Sequence, residues 1–126
     1  MTLLEEWITK AEGDYDTAVA LKRLKAKPQY DAICYHCQQS AEKYFKAAIF
    51  SNGRTPPRIH DLEDLLNLCV LHAPFLRALE PEAKLLDPYS VEFRYPGDFA
   101  TSEEAVEAIK SVRKIRSVMR KLLGVK

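Results

Sequence analysis

The sequence predicts an all-α protein: a single domain of 126 residues folded as an antiparallel up-and-down bundle of four to five helices. Three observations lead there. Apolar residues recur at steps of three and four along most of the chain, which places them on one face of a helix. Only 4 glycines and 7 prolines occur, and nearly all fall between the patterned segments. Hydrophobic residues make up 47% and charged residues 29%, a balance that suits a packed core under a solvated surface and excludes disorder or collagen-like repeats.

The first helix carries Leu4, Ile8, Ala11, Tyr15 and Ala18 on one face, a stripe widened by Trp7 and Val19. The second covers residues 29–52, with Ile33, Cys37, Ala41, Tyr44 and Ala48 on the apolar side and Gly53 as its stop. A shorter third helix begins near Asp61, where Asp61 and Asp64 form an N-terminal capping arrangement. It buries Leu62, Leu65, Leu66 and Cys69 and ends before Pro74. Residues 75–96 give a mixed signal. Leu79, Ala83 and Leu86 suggest a helical turn or two, whereas Tyr89, Val91, Phe93 and Tyr95 alternate with period two. A lone strand has no partner in this chain, so the stretch is expected to be an extended apolar connection lying across the helices. Thr101 and Glu104 then form a capping box for the last helix, whose stripe is Ile109, Val112, Ile115, Met119 and Leu122.

Charge is unevenly spread. Residues 110–126 hold seven Lys/Arg and no acid, while the rest of the chain sets 12 basic against 18 acidic residues, a balance of −6. Such a basic helix could attract phosphates, but pairing with the acidic segment 5–16, or a plain solvated face, is the favoured expectation. The longest charge-free run, residues 65–76, has 12 residues, too short for the roughly 20 that a bilayer-spanning helix needs. Glu5 and Glu6 stand where an export signal would carry lysines, so a cytoplasmic protein with three reduced cysteines is expected.

Three local patterns carry a family resemblance. They are Tyr35-His-Cys-Gln-Gln-Ser-Ala-Glu-Lys-Tyr-Phe-Lys-Ala47, His60-Asp-Leu-Glu-Asp-Leu-Leu66 and Arg94-Tyr-Pro96. In this order they resemble the HEPN family, small helical bundles named for nucleotide binding in higher eukaryotes and prokaryotes. The resemblance spans nearly the whole chain and implies a helical bundle that forms a homodimer. It implies one of two functions. Some members are metal-independent, toxin-type endoribonucleases with an Arg-x4-6-His motif; others are non-catalytic nucleotide-binding or partner domains that act beside a minimal nucleotidyltransferase. Arg54 and His60 have the motif's spacing, with five residues between them, but they flank Pro56 and Pro57 in a loop, whereas the ribonucleases carry the motif on a late helix. The late arginine, Arg94, has Phe99, Ala100 and Thr101 where histidine would stand. The favoured reading is therefore the binding module, with the endoribonuclease and a purely structural bundle as alternatives.

Particular side chains suit these chemistries. His60 is the evident acid/base candidate, and RNA cleavage would pair it with a cation such as Arg54, Arg58 or Arg94. Equally, His60 could sit outside the cap of the third helix and bond a neighbouring carbonyl or carboxylate. Gln39, Lys43, Lys46 and Phe50 follow one edge of the second helix. The lysines could meet phosphate and Gln39 could read a base or ribose hydroxyl, or this edge could be an exposed face with Gln38 and Gln39 bonding across a dimer. Arg94 could grip a phosphate or form an ion pair with Glu42 or Asp61. Tyr89 and Tyr95 could stack on a base, though core packing is the commoner use of such tyrosines. Cys34-x2-Cys37 and Cys69-x2-His72 have zinc-like spacing but lie within helices, so core packing is expected. No metal and no cofactor is expected. A nucleotide or RNA, a second copy and a nucleotidyltransferase remain the partners considered.

Overall fold

The computed structural model describes residues 1–91 and 95–125. Among them are five α-helices and no strand: α1 Leu3–Lys22, α2 Tyr30–Ser51, α3 Leu62–Val70, α4 Glu80–Leu86 and α5 Ser102–Leu122. Local chemistry marks their ends. Thr2 and Glu5 close a reciprocal capping box on α1, and Thr101 and Glu104 do the same on α5. The Asp61 side chain accepts from Asp64 N–H at 2.9 Å at the start of α3. Gly53 follows α2 with φ 82°, a conformation that a side chain resists.

Helix α2 is the axis of the bundle. Thirteen of its 22 residues are buried, including every member of the expected stripe. Helix α1 runs antiparallel beside it, held close by small residues; Ser40 Oγ donates to Ala11 O at 2.8 Å where the two helices cross. Helix α5 packs mainly against α2 and buries Ile109, Val112, Ile115 and Met119, while Leu122 stays 40% exposed.

Two sequence expectations are corrected. On α1 only Ala11 and Ala18 are buried; Leu4, Trp7, Ile8, Tyr15 and Val19 are half-buried, because α2 covers one side of the helix and little else packs against it. Residues 75–89 are not an extended connection. Pro74–Leu79 is a 3-10 helix, α4 follows directly, and Asp87–Tyr89 makes another 3-10 turn. Leu76, Leu79, Ala83 and Leu86 face the core at helical spacing, so the helical signal prevails over the period-two one. Tyr89 is buried and donates to Glu104 at 2.8 Å, whereas Val91 and Tyr95 are exposed. Phe93 lies outside the described residues.

Candidate functional site around Glu42 and His60

Gln38, Glu42 and Lys46 succeed one another at intervals of four on α2 and so stack along one line of the helix. That line turns toward the segment leading into α3. Lys46 Nζ donates to Glu42 Oε2 at 3.1 Å. His60 Nδ1 lies 3.0 and 3.1 Å from the two Glu42 oxygens. Gln38 Nε2 donates to His60 O at 3.0 Å and reaches Glu42 Oε1 at 3.4 Å. Gln39 in turn donates to Gln38 Oε1 at 2.8 Å.

Burial separates the roles within this network. The Glu42 and Lys46 side chains are 4% and 8% exposed, but that of His60 is 68% exposed. A buried carboxylate is tolerated only when paired and hydrogen-bonded, and Lys46, Gln38 and His60 together meet that need. In return Glu42 fixes the imidazole. The ring's Nδ1 is engaged, and Nε2 has no partner among the described residues.

His60 also lines an open groove of about 570 Å³ with Asp61, Glu63, Lys84, Asp87, Pro88 and Ser90. Lys84 pairs there with Glu80 at 3.1 Å and Glu63 at 3.8 Å. One oxygen from each of Asp61, Glu63 and Asp87 falls within 4.8 Å of the others. Hard oxygen donors so placed are the only described group that could hold a divalent cation, and no cysteine belongs to it. Burial raises the Asp87 carboxyl above the ordinary range, and the charges of Asp61 and Asp64 add to this against a hydrogen bond from Leu62 N–H.

The remaining candidates are scattered. Lys43 pairs with Asp14 instead, and Asp14 also holds His36 Nδ1 at 2.8 Å. Arg54 and Arg58 are exposed in the loop before α3, and neither is joined to His60 or to an acid among the described residues. Tyr95 is 86% exposed, far more open than a core tyrosine. Arg94 lies outside the described residues. Gln39, Lys46 and His60 are thus brought together through Gln38 and Glu42, and sequence reading considered Glu42 only as a partner for Arg94. The signal was present: Glu42 precedes Lys46 by four residues, the favoured orientation for a helical ion pair.

The basic last helix is mostly neutralised within the chain. Arg116 makes a two-pronged contact with Glu12 at 2.7 and 2.8 Å, and Arg120 and Tyr44 also bond Glu12. Arg116 stacks 4.5 Å above the Tyr15 ring, and Lys114 reaches Glu82 at 3.5 Å. Burial alone would raise the Glu12 carboxyl, but the hydrogen bonds from Arg116 and Tyr44 and the charges of Arg116 and Arg120 hold it below its usual range. All three cysteines are buried, and Cys69 Sγ donates to Phe45 O. Burial pushes the Cys69 thiol up to about 12.

Comparisons with known proteins agree with this architecture. The sequence profile of the HEPN domain matches residues 4–122. The crystal structure of TT1696 from Thermus thermophilus is 25% identical, superposes with a TM-score of 0.80, and is matched over 96% of this chain and 98% of that one. ST0689, an archaeal HEPN homologue, is 25% identical with a TM-score of 0.75 over 100% of both chains. No curated protein sequence matches. No helix among the described residues is long and apolar enough to cross a membrane.

Proposed function

The chain belongs to the HEPN domain family, and from that we propose that it is a non-catalytic module that binds a phosphate-bearing ligand, a nucleotide or nucleic-acid strand, at the His60 edge. It acts as a homodimer with a nucleotidyltransferase partner. One observation carries the reading. The buried line of Gln38, Glu42 and Lys46 ends in an imidazole that is fixed on one nitrogen and open on the other. Protonated, the ring donates Nδ1–H to Glu42 and Nε2–H to a phosphate oxygen. Neutral, with Nδ1–H on Glu42, it offers Nε2 as an acceptor for a hydroxyl or amine. Holding the ring in place before the ligand arrives reduces the entropy lost on binding.

The experiment is a thermal-shift panel of nucleoside mono-, di- and triphosphates, with inorganic triphosphate as the control for charge. A nucleotide at 100 times its Kd stabilises by about 2.7 kcal/mol, and the shift disappears in His60→Ala. A panel without any shift, or one unchanged in His60→Ala, overturns the assignment.

The carboxylate–imidazole pair favours one second reading, the metal-independent endoribonuclease, since a carboxylate holding an imidazole is also how a general base is oriented. Cleavage of RNA in EDTA by wild type, lost in His60→Ala, would establish it in place of the binding module.

A further inference from the structure

A dense run of positive charge lies away from His60, in the turn between α1 and α2. Residues 17–30 contain Lys22, Arg23, Lys25 and Lys27 and no acid. Among the described residues none of the four makes an ion pair, in contrast to Arg116 and Arg120 on α5. Lys27 takes a left-handed conformation, φ 53°, immediately before Pro28 in this turn. Lys22, Arg23 and Lys25 line a cavity of about 620 Å³ together with Tyr30, Ile33 and Ser102.

Helix geometry adds to the charge. Tyr30 opens α2, whose 22 residues point the positive end of their dipole at this cavity, and Gln29 supplies no side-chain cap there. Asp31, in the same first turn, is engaged by Ala100 N–H at 2.8 Å. Cations and an aromatic ring therefore line one concave space beside the start of α2, a set of groups that accepts a phosphate next to a base.

We propose that the α1–α2 turn binds the backbone of a single-stranded nucleic acid, with Lys22, Arg23, Lys25 and Lys27 on successive phosphates and Tyr30 beside a base. The concavity favours a strand over an anionic membrane surface, which would need a flat or convex patch. This surface is distinct from the His60 edge: Tyr30 precedes Glu42 by 12 residues, about 18 Å along α2. Both surfaces take the same class of ligand, and binding at the turn does not depend on His60.

The test is anisotropy of a labelled single-stranded RNA against salt, using the full chain. Lys22→Glu/Arg23→Glu/Lys25→Glu is compared with Lys10→Glu/Lys110→Glu/Lys121→Glu, an equal change of charge at exposed positions elsewhere; circular dichroism confirms that both are folded. Wild type is expected to bind with a log–log salt slope that the turn variant lowers by about 2, with at least a tenfold loss of affinity at low salt, while the control variant keeps the wild-type slope. Equal losses in turn and control variants, loss in His60→Ala alone, or binding to phosphatidylserine vesicles without RNA binding would each overturn the proposal. A failed nucleotide thermal shift with an intact RNA slope would sink the His60 reading and leave this one standing.

Discussion

Replacing Lys46 by Met tests whether the Glu42 network is a buried ion pair in energetic terms. The substitution keeps the length and apolar stem of the side chain but removes the ammonium 3.1 Å from Glu42 Oε2, and only 4% of the Glu42 side chain can reach water for compensation. Breaking a pair of this kind from one side costs about 3 to 5 kcal/mol, because the remaining charge stays buried. At roughly 3 to 5 °C per kcal/mol for a chain of this size, the midpoint falls by about 10 to 20 °C. The double change Lys46→Met/Glu42→Leu removes both charges and recovers most of that loss, although it leaves His60 without its anchor. Urea denaturation followed by circular dichroism measures all three chains. A loss below about 1 kcal/mol for Lys46→Met would refute the reasoning, since that is the size expected of a solvated surface pair.

Other outcomes follow from the same geometry. Because Glu12 is held below its ordinary range in the fold, its ion pairs add stability above about pH 4.3, and that stability is lost as the pH falls through the lowered value. Glu12→Gln should therefore lower the midpoint at neutral pH and flatten the acid limb; parallel pH profiles would contradict this. Asp87 has the opposite sign. Its raised pKa makes folding less favourable as pH rises above about 3.9, so Asp87→Asn, which can still accept from Leu62 N–H, should raise the midpoint at pH 7 and not at pH 3. With all three thiols buried and Cys69 pushed up to about 12, a thiol reagent should label none of them until the chain unfolds, and one cysteine reacting in the native protein would refute that.

Where one helix face meets core along its whole length, the sequence was sufficient. Every stripe residue of α2 and α3 is buried, and Asp61 and Thr101 cap as their spacing implies. Helix α1 shows the limit of that logic. Leu4, Trp7 and Ile8 have the same spacing, but periodicity reports which face is apolar and not whether a neighbour covers it. In residues 75–96 the prolines interrupted the helical pattern into pieces of one or two turns, too short to outweigh the alternation of Tyr89 to Tyr95. The candidate site was half legible. His60 was singled out from its chemistry, and the expected alternative, a neighbouring carboxylate, is what the fold supplies in Glu42. Lys46 was read as part of a cationic edge that could meet phosphate or stand as plain solvated surface. The tertiary fold instead places it and Glu42 beneath the segment leading into α3, and local spacing alone does not encode that burial.

The most direct test of the central claim is an NMR titration that follows the His60 imidazole nitrogens as a nucleotide is added to the full chain. With the ligand at His60, Nε2 shifts in a saturable way with the same Kd as the thermal stabilisation, while Nδ1, engaged by Glu42, moves little. An unchanged imidazole accompanied by saturating shifts elsewhere would contradict it and would take the ligand site away from the Glu42 network.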